Sequence, residues 1–509
     1  MDLDDETHGK RHRKRQEAAS TLPHLTVALS LSFPTHLFVS QTHCTMVSPS
    51  PSSPPLSNTP QQEHQPAEKW KILGQDVDVL IAVAANLLSW FVSTFTPSLM
   101  PYLLPSCPQE AIHDTTATTT TVNPNATKCV SIGRPGGLEQ LRLISLCPHL
   151  CTKGYNVGGN GSPFLHWDDM PDDCVVLSVR AFSVNYADCC IRWGLYESAN
   201  RFVGWPIVPG FDVAGVVERV GKGVQETGVL QEGDKVFGCT LFGAYSSRVV
   251  VPAIQLRKLS SSLSSLTMPQ AAAVPTVSLT ALYALLLAGH YPQPSPHRNK
   301  SILIHSASGG VGGMLVQMSK LLGLGPIVGV VGRTSKVEEA RRLGCDVVID
   351  KSQDGANFWK AAREASPGGY STIMDSNGVS TLMDSYNHLC STGRVIVFGF
   401  HSNLPMGKDM LSPWQWVQMG LKMSSMPKFE PMDMVVSCKS VLGFNLSFFS
   451  EEKELVTKLL DQVCTWLGQG KIQCPRVVEM EMERVAEAHS LIMSGKTVGK
   501  LVLTTSNST

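Results

Sequence analysis

The sequence predicts an α/β protein in which a β-rich region precedes a parallel sheet with helices on both faces. Residues 174–184 and 207–220 are apolar or glycine-punctuated runs typical of strands. Beyond them, an apolar helical run at 271–288 precedes a short buried strand at 301–305. Because helices and strands alternate from there on, the second region is expected to form βαβ units, whose strands are parallel.

Composition sets the size and excludes some partners. The chain has 509 residues, 43% of them hydrophobic, which is enough for two domains with appendages. Its 42 Lys and Arg balance 42 Asp and Glu, so no overall charge favours nucleic acid. The 14 cysteines include no Cys-x-x-Cys pair, which favours free thiols in a reducing compartment. We therefore expect a cytoplasmic protein, although its charge alone names no partner.

Residues 1–128 differ from the rest and are predicted to be a largely disordered extension. They contain a basic run at 10–15, a Ser/Pro tract at 48–55 and a threonine tract at 115–121. Within them, the apolar segment 79–105 carries no charged residue, and its most apolar part, 79–95, approaches the length needed to cross a bilayer. A membrane span, an interfacial anchor and a short helix docked on the main domain all remain open, and so does organelle targeting.

A glycine loop gives the strongest local signal. Residues 301–312 read Ser-Ile-Leu-Ile-His-Ser-Ala-Ser-Gly-Gly-Val-Gly, a buried strand that runs into a glycine turn before a helix. Backbone N–H groups at Gly309, Gly310, Val311 and Gly312 are then predicted to approach a dinucleotide pyrophosphate at the positive end of the helix. The loop departs from Gly-x-Gly-x-x-Gly, and a tight turn without a ligand is the alternative.

The residues about 20 positions further on predict which dinucleotide binds. An NAD-binding fold carries Asp or Glu there to bind the ribose hydroxyl, whereas this chain has Gly332, Arg333, Thr334, Ser335 and Lys336. Two cations and two hydroxyls suit the 2′-phosphate of NADP(H). Alternatively, the two cations simply belong to the solvated first turn of a helix.

Several further motifs together resemble a known family. In order they are Asn185-Tyr-Ala-Asp188, Arg192-Trp-Gly-Leu-Tyr196, Pro209-Gly-Phe-Asp-Val-Ala-Gly215, Gly233-Asp-Lys-Val236 and Ala271-Ala-Ala-Val-Pro275. With the glycine loop they resemble the zinc-independent quinone oxidoreductase (zeta-crystallin) branch of the medium-chain dehydrogenase/reductase superfamily. Gly443-Phe-Asn-Leu446 and Val498-Gly-Lys-Leu501 are similar to its synaptic vesicle membrane protein VAT-1 homologue group.

The resemblance implies a fold and a domain order. A GroES-like β-barrel catalytic domain would be split in sequence around an inserted Rossmann domain. Its first part would cover residues 129–267, the NADP-binding Rossmann domain residues 268–472, and the return segment of the catalytic domain residues 473–506. The family also implies a homodimer whose sheet continues across the dimer axis near residues 440–446.

No metal site is expected. Zinc alcohol dehydrogenases place a Cys near the position of Asn185 and a His-Glu pair near Phe211 and Asp212, and neither Asn185 nor Phe211 can bind zinc as a thiolate or imidazole. No cluster of closely spaced cysteines follows Gly215, so the structural zinc lobe is predicted absent as well. Asp212 is expected to be a packed, hydrogen-bonded carboxylate.

The resemblance also implies two catalytic side chains. Asn185 would lie at the nicotinamide and substrate cleft, and Tyr196 is the nearest phenol that could orient or protonate the product oxyanion, although a loop-closing tyrosine is equally expected. The family's usual cleft tyrosine corresponds to Cys190. Together with Cys189 it forms a vicinal pair that could make activity thiol-sensitive, while buried packing is the commoner fate of free cysteines.

Five other cofactor contacts follow from the resemblance. They are Asn377 and Phe400, Phe444 and Asn445 beside the nicotinamide, and Lys351 near the adenosine phosphate. A solvent-exposed lysine after a strand is an equal alternative for Lys351.

Three functions are compatible with these features. The leading hypothesis is an NADPH-dependent, zinc-independent oxidoreductase that transfers hydride to a quinone or an α,β-unsaturated carbonyl. The second is a VAT-1-like lipid-binding or membrane-associated protein with little turnover, because a fold does not fix a function. The third is an enoyl-thioester reductase, for which Arg201 and Lys222 would be cations near the cleft mouth.

Overall fold

The computed structural model describes residues 71–72, 75–76, 125–154, 162–292, 300–403, 413–449 and 452–505. The chain divides into two compact units, Met1–Ala67 and Glu68–Thr509, and every described residue belongs to the second. The apolar segment 79–105 therefore lies outside the described residues, as does most of the extension.

The secondary structure of the described residues consists of nineteen strands and fourteen α-helices, apart from single 3-10 turns. The strands are β1 (Lys71–Ile72), β2 (Gln75–Asp76), β3 (Thr127–Ser131), β4 (Arg142–Leu146), β5 (Leu150–Lys153), β6 (Phe164–His166), β7 (Cys174–Val184), β8 (Asp212–Val220), β9 (Lys235–Cys239), β10 (Arg248–Pro252), β11 (Leu256–Lys258), β12 (Ile302–His305), β13 (Ile327–Val331), β14 (Val347–Asp350), β15 (Tyr370–Asp375), β16 (Leu389–Val397), β17 (Ser440–Gly443), β18 (Val477–Glu481) and β19 (Lys500–Thr504). The helices are α1 (Tyr186–Arg192), α2 (Glu197–Phe202), α3 (Lys222–Thr227), α4 (Met268–Ala272), α5 (Pro275–Leu287), α6 (Gly310–Leu321), α7 (Val337–Leu343), α8 (Lys351–Asp354), α9 (Phe358–Ala365), α10 (Leu382–Asn387), α11 (Pro413–Ser424), α12 (Pro431–Ser437), α13 (Lys453–Gly468) and α14 (Val485–Met493).

Most of the β-rich region forms one nine-stranded sheet. Seven strands follow the order β11-β9-β8-β7-β10-β5-β6, and β19 pairs with β7 on one side and β18 on the other. The last two strands of the chain thus return to the first sheet, with Leu501 opposite Val184. The expected strand at 174–184 is confirmed by β7. The run at 207–220 becomes a strand only from Asp212 onward, because Gly210 adopts a left-handed φ of 100°.

The second sheet is a six-stranded parallel sheet in the order β14-β13-β12-β15-β16-β17. Its first strand in the chain is central, which is the doubly wound Rossmann arrangement. Ile302 and Ile304 pack with helices α5, α6 and α13 on one face, while Leu303 packs toward α9 and α10 on the other. The α/β fold predicted from the sequence is confirmed.

Three boundaries differ from the sequence prediction. The helix expected at 271–288 is two helices, because Pro275 lacks the N–H that would continue α4 and instead begins α5. Helix α6 begins at Gly310, within the glycine turn that was expected to precede it, since the glycines themselves form its first turn. Strand β18 was not predicted, because its partly exposed Val-Val-Glu-Met-Glu run has little apolar periodicity.

Only one stretch of the described residues is long and apolar enough to cross a membrane. It is Met268–Leu287, which is made of α4 and α5, and 67% of it is buried inside the protein. Ala281, Leu282 and Leu285 are inaccessible and belong to the core of the Rossmann domain. Its apolar character is therefore explained by packing against the parallel sheet.

Candidate active site

A cavity of about 1530 Å³ lies at the carboxyl ends of the parallel strands. The ends of β12, β13, β15, β16 and β17 form one wall, and the end of β7 with helix α1 forms the opposite wall. In doubly wound sheets, ligands bind in the crevice outside the carboxyl ends of the strands, at the point where the strand order reverses. The cavity is therefore the candidate active site.

The glycine loop lies at one end of this cavity. Gly309 is the N-cap of α6, and Gly309, Gly310, Val311 and Gly312 all line the cavity. A Cβ atom on Gly312 would lie 2.2 Å from the carbonyl oxygen of Ser306, so glycine is required for the tight turn. The unpaired N–H groups of the first turn and the positive end of the helix dipole make this an anion-binding position.

The return segment holds the glycine loop in place. Gly499 forms a bridge with Gly309, and its N–H donates to the carbonyl of Ser308 at 3.3 Å. Lys500 follows, and its Cδ would lie 3.0 Å from a Cβ on Gly310. The C-terminal strand of the first sheet thus reaches the cofactor loop of the second.

Some of the residues in the predicted 2′-phosphate region line the cavity, and others do not. Gly332, Lys336, Lys351 and Ser352 line the cavity. Burial lowers the pKa of Lys336, as Arg333 also does to a smaller extent, and burial lowers the pKa of Lys351. The two ammonium groups are therefore partly desolvated, which strengthens their attraction for an anion.

Arg333 and Ser335 lie outside the lining of this cavity. The Arg333 guanidinium donates to the carbonyl oxygen of Ser494 at 3.3 Å. The nearby carboxylate of Asp350 accepts from the Thr334 hydroxyl at 2.6 Å and from the Ser352 hydroxyl at 2.6 Å. The two lysines, and not Arg333, therefore face the cavity at this end.

The loop after β15 carries Asn377 into the lining. One oxygen of the buried Asp375 carboxylate accepts the N–H of Asn377 at 2.8 Å and that of Gly378 at 3.0 Å. The other accepts from the Thr381 hydroxyl at 2.8 Å. This carboxylate fixes the turn, so the backbone of the loop holds its position beside the cleft.

Asn185 lies at the opposite end and is held by charged groups. Its Nδ2 donates to Asp212 at 2.9 Å, and its Oδ1 accepts from the ammonium of Lys500 at 2.6 Å. Its own backbone N–H donates to the carboxylate of Asp188 at 2.7 Å, which caps helix α1. Asn185 is thus fixed at the cleft, 9% exposed, with both ends of its amide occupied.

Asp212 is a packed, hydrogen-bonded carboxylate, as predicted. It is fully buried and accepts from the Ser183 hydroxyl at 2.5 Å and from the backbone N–H of Thr276 at 2.7 Å. Its cationic neighbour is Lys500, whose ammonium nitrogen lies 3.6 Å from a carboxylate oxygen. Burial lowers the pKa of Lys500, and Asp212 opposes that shift.

Tyr196 and Asn445 are hydrogen-bonded to each other where both line the cavity. The Tyr196 hydroxyl donates to Asn445 Oδ1 at 3.2 Å, and Ser447 donates to the same oxygen at 2.7 Å. Burial raises the pKa of Tyr196 to about 12, so the phenol is protonated at neutral pH. Phe444 and Phe400 also line the cavity, and Phe400 is 43% exposed.

The vicinal cysteines point in different directions. Cys189 is inaccessible, and its sulfur lies 3.5 Å from His489 Nδ1. Cys190 lines the cavity, and burial raises its pKa to about 12. At neutral pH the cleft therefore holds a protonated, weakly nucleophilic thiol.

Sequence reasoning missed three lining residues that the structure brings to the site: Tyr186, His401 and Lys500. Tyr186 and Lys500 lie within motifs on which the family resemblance is based. The sequence signal for Lys500 is a single cation in the apolar strand Lys-Leu-Val-Leu. Nothing in the sequence singles out His401.

No group of three or more His, Cys, Asp or Glu within the described ranges is arranged to hold a metal ion. Asn185 and Phe211, at the positions compared with zinc ligands, both line the cavity. Arg201 and Lys222, considered as thioester contacts, lie outside its lining.

Two family matches cover parts of the chain. Residues 171–261 match the alcohol dehydrogenase GroES-like domain, and residues 310–461 match the zinc-binding dehydrogenase family. They coincide with the first sheet and with the parallel sheet described above. The chain belongs to the medium-chain dehydrogenase/reductase superfamily. Within it, the chain is similar to VAT-1 homologues and to a quinone oxidoreductase.

Curated relatives support this placement. The synaptic vesicle membrane protein VAT-1 homolog of Danio rerio is 29% identical over 335 residues, which is 65% of this chain and 64% of that protein. The Homo sapiens protein is 29% identical over 334 residues, 65% of this chain and 78% of that protein. A 2-haloacrylate reductase from Burkholderia sp is 35% identical over 233 residues, 45% of this chain and 66% of that reductase.

A solved structure shows the same fold. The Escherichia coli quinone oxidoreductase, solved in complex with NADPH, superposes with a TM-score of 0.58 and 22% identity. The superposition covers 74% of this chain and 99% of that protein. The medium-chain dehydrogenase/reductase architecture thus accounts for nearly three quarters of the sequence.

Proposed function

We propose that this protein is an NADPH-dependent reductase that transfers hydride to an activated carbon–carbon double bond in a quinone or α,β-unsaturated carbonyl. The observation that carries the proposal is that one cavity joins the glycine loop, the two lysines after β13 and β14, and the Asn185 end of the first sheet. A dinucleotide lying along the cavity would place its nicotinamide near Asn185.

The residues present fit a bound NADPH. The N-terminus of α6 would receive the pyrophosphate, and Lys336 and Lys351 would receive the 2′-phosphate. The Asp350 carboxylate, which lies close to that position, already accepts from Thr334 and Ser352. Because the Asp350 carboxylate is already hydrogen-bonded to protein donors, it is less available to a ribose hydroxyl, which favours NADPH over NADH.

The substrate end favours a neutral acceptor. Its lining near Asn185 and Tyr196 is largely apolar and includes Phe211, Leu241 and Met419. An apolar pocket with a few polar groups suits a flat, conjugated carbonyl compound. The similarity to a reductase named for 2-haloacrylate and to a quinone oxidoreductase supports an electron-poor alkene or quinone as the acceptor.

Nucleotide titrations of the full chain test the cofactor assignment. We expect NADPH to bind at least 10-fold more tightly than NADH. Lys336→Ala and Lys351→Ala should each weaken NADPH binding by about 10-fold, the size of one charge-assisted hydrogen bond, and leave NADH binding nearly unchanged. Lys235→Ala is the matched control, because Lys235 is exposed on β9 and does not line the cavity. Equal affinity for both nucleotides would contradict the proposal.

A second candidate function is that of a VAT-1-like membrane-associated or lipid-binding protein with little turnover. It is supported by the similarity to relatives named vesicle membrane proteins and by the charge-free segment 79–105. Tight NADPH binding without consumption on a quinone and enone panel, together with flotation of the full chain on vesicles, would favour it.

A homodimer is also proposed. Strand β17 ends the described parallel sheet, and neighbouring helix α12 leaves Met432, Val435 and Val436 between 66% and 79% exposed. A second copy pairing along β17 would extend the sheet and cover these side chains. Sedimentation velocity of the full chain should give twice the monomer mass.

A further inference from the structure

A buried chain of hydrogen bonds leads away from Asn185 and has no role in the reaction described above. It joins Asp188 and Cys189 of α1, Tyr245 of the loop before β10 and His489 of α14, and all four side chains are inaccessible to solvent. The Tyr245 hydroxyl lies 3.1 Å from Asp188 Oδ2 and 3.2 Å from His489 Nε2. His489 Nδ1 lies 3.5 Å from the Cys189 sulfur. Buried polar networks of this kind rigidify the groups that they contact.

Asp188 connects this chain to the cleft. Its Oδ2 accepts the backbone N–H of Asn185 at 2.7 Å, and its Oδ1 accepts the N–H of Gly210 at 3.1 Å. Gly210 forms the left-handed turn two residues before Asp212, whose carboxylate accepts from the Asn185 amide. One carboxylate thus holds the backbone of Asn185 and also the turn that presents Asp212 to its side chain.

The donors around Asp188 favour an ionised carboxylate. Two are backbone N–H groups, which cannot turn away, and the third is the Tyr245 hydroxyl, which can. With Tyr245 donating to Asp188, its oxygen accepts from His489 Nε2–H, and His489 Nδ1 accepts the thiol hydrogen of Cys189. A proton on Asp188 would turn the Tyr245 hydroxyl toward His489 and reverse the chain. Removal of the Tyr245 donor should therefore favour the protonated acid.

Five titratable side chains around Asp188 are neutral near pH 7, because burial raises the pKa of each thiol and phenol and lowers that of the imidazole. They are Cys189, Cys190, Tyr196, Tyr245 and His489. Arg192 further lowers the pKa of His489. The charge of Lys500 lowers the pKa of Asp188, and that of Asp212 raises it. Burial, the largest effect, raises the pKa of Asp188 to about 7 against the opposing effect of its hydrogen bonds.

We propose that Tyr245 and His489 are positioning residues that act through the Asp188 carboxylate to hold Asn185 at the cleft. This rests on the reductase function proposed above, in which Asn185 lies beside the nicotinamide. Asp188, Tyr245 and His489 do not line the cavity, so they act on the reaction only through Asn185. The ionised carboxylate binds its N–H donors strongly, and the protonated acid binds them more weakly.

The consequence is a pH dependence of turnover. The ionised form of Asp188 is present above its pKa of about 7 and is lost as the pH falls through that value. The kcat for an enone should therefore fall on the acid side with a midpoint near that pH, because Asn185 is then held less firmly.

Tyr245→Phe in the full chain tests the proposal. The variant removes the Tyr245 donor, so the acid limb of the kcat profile should move about one pH unit higher, as expected for loss of one hydrogen bond to a charged group. The kcat should return to the wild-type value in alkaline buffer, where Asp188 is ionised in both proteins. The Kd of NADPH at that pH should be unchanged.

Tyr370→Phe is the matched control. Tyr370 is a buried tyrosine of the parallel sheet, and its hydroxyl donates to the carbonyl oxygen of Ala362 at 2.5 Å. This variant also loses a buried hydrogen bond, so it should lose stability but keep the wild-type pH profile. A purely structural role of Tyr245 would lower kcat at every pH, and that result would overturn the proposal.

An infrared pH titration of the full chain measures Asp188 without turnover. The C=O stretch of a protonated carboxyl group should appear as the pH falls through about 7, be absent from Asp188→Asn and appear at higher pH in Tyr245→Phe. An unchanged midpoint in Tyr245→Phe overturns the proposal, as does a wild-type band that does not coincide with the acid limb of kcat. Absence of turnover in wild type contradicts the reductase function instead, while the infrared midpoints still decide whether Tyr245 acts on Asp188.

Discussion

At the scale of single residues, Asn185 is positioned by a buried ion pair. Lys500 from the last strand and Asp212 from β8 hold the two ends of its amide, and both are almost fully buried. The same Lys500 side chain packs under Gly310 of the cofactor loop. One lysine therefore connects the position of the predicted nicotinamide residue to the predicted pyrophosphate site.

Replacing Lys500 by methionine should destabilise the protein. The substitution leaves Asp212 buried without its cation, and loss of one partner of a buried pair costs about 3 kcal/mol or more. Urea unfolding of the full chain measures the change. Lys496→Met is the matched control, because Lys496 is exposed four residues earlier and should change stability by less than about 0.5 kcal/mol. Equal stabilities of the two variants would show that the buried pair contributes nothing.

The sequence could predict Asp212 but not its partner. A lone carboxylate after Gly210-Phe211, without neighbouring metal ligands, already indicates a packed, hydrogen-bonded group. Lys500 stands in a separate apolar strand far along the chain, and only the pairing of β19 with β7 brings it to the site. The phosphate contact of Arg333 stays a prediction from its charge, and its guanidinium donates to the carbonyl of Ser494 at 3.3 Å.

At the scale of elements, the turn from β12 into α6 determines whether the cleft can hold a pyrophosphate. Ser306 adopts a left-handed φ of 58°, and its carbonyl accepts the N–H of Gly309 at 2.9 Å. Such a conformation is costly for a non-glycine residue and is found where a loop must have one shape. The turn directs the free N–H groups of α6 into the cavity.

Gly312→Ala should abolish dinucleotide binding while the fold persists. The new methyl would meet the Ser306 carbonyl oxygen at 2.2 Å, so the loop must move away from its present shape. Gly313→Ala is the control, since its methyl would meet only the end of the Leu343 side chain at 3.1 Å. Circular dichroism reports the fold, and NADPH titration should show binding lost in the first variant and kept in the second. Normal binding by Gly312→Ala would mean that the turn is not the pyrophosphate site.

Element types were predictable from the sequence, and several boundaries were not. The glycine loop and the strand before it have strong local signals. Pro275 breaks one apolar run into two helices, and the apolar pattern alone hides that break. Strand β18 has a polar, partly exposed pattern, and pairing with β19 stabilises it despite that pattern.

At the scale of the whole described molecule, two sheets meet at one cleft. The nine-stranded sheet supplies Asn185, Tyr186 and Tyr196, and the parallel sheet supplies the glycine loop and the two lysines. The return of β18 and β19 to the first sheet joins these walls through Gly499 and Lys500. This arrangement places the predicted dinucleotide site next to the predicted acceptor site in one cleft, as hydride transfer requires.

The most direct test of the proposed reductase function is transfer of deuterium from [4-²H]NADPH, in both stereospecific forms, to an α,β-unsaturated ketone by the full chain. The account predicts that one form, and not the other, delivers deuterium to the β-carbon of the saturated ketone, with one NADPH consumed per product. Tight NADPH binding with no labelled product from any enone and no NADPH consumption with any quinone would contradict it, and would identify the cleft as a binding site without this chemistry.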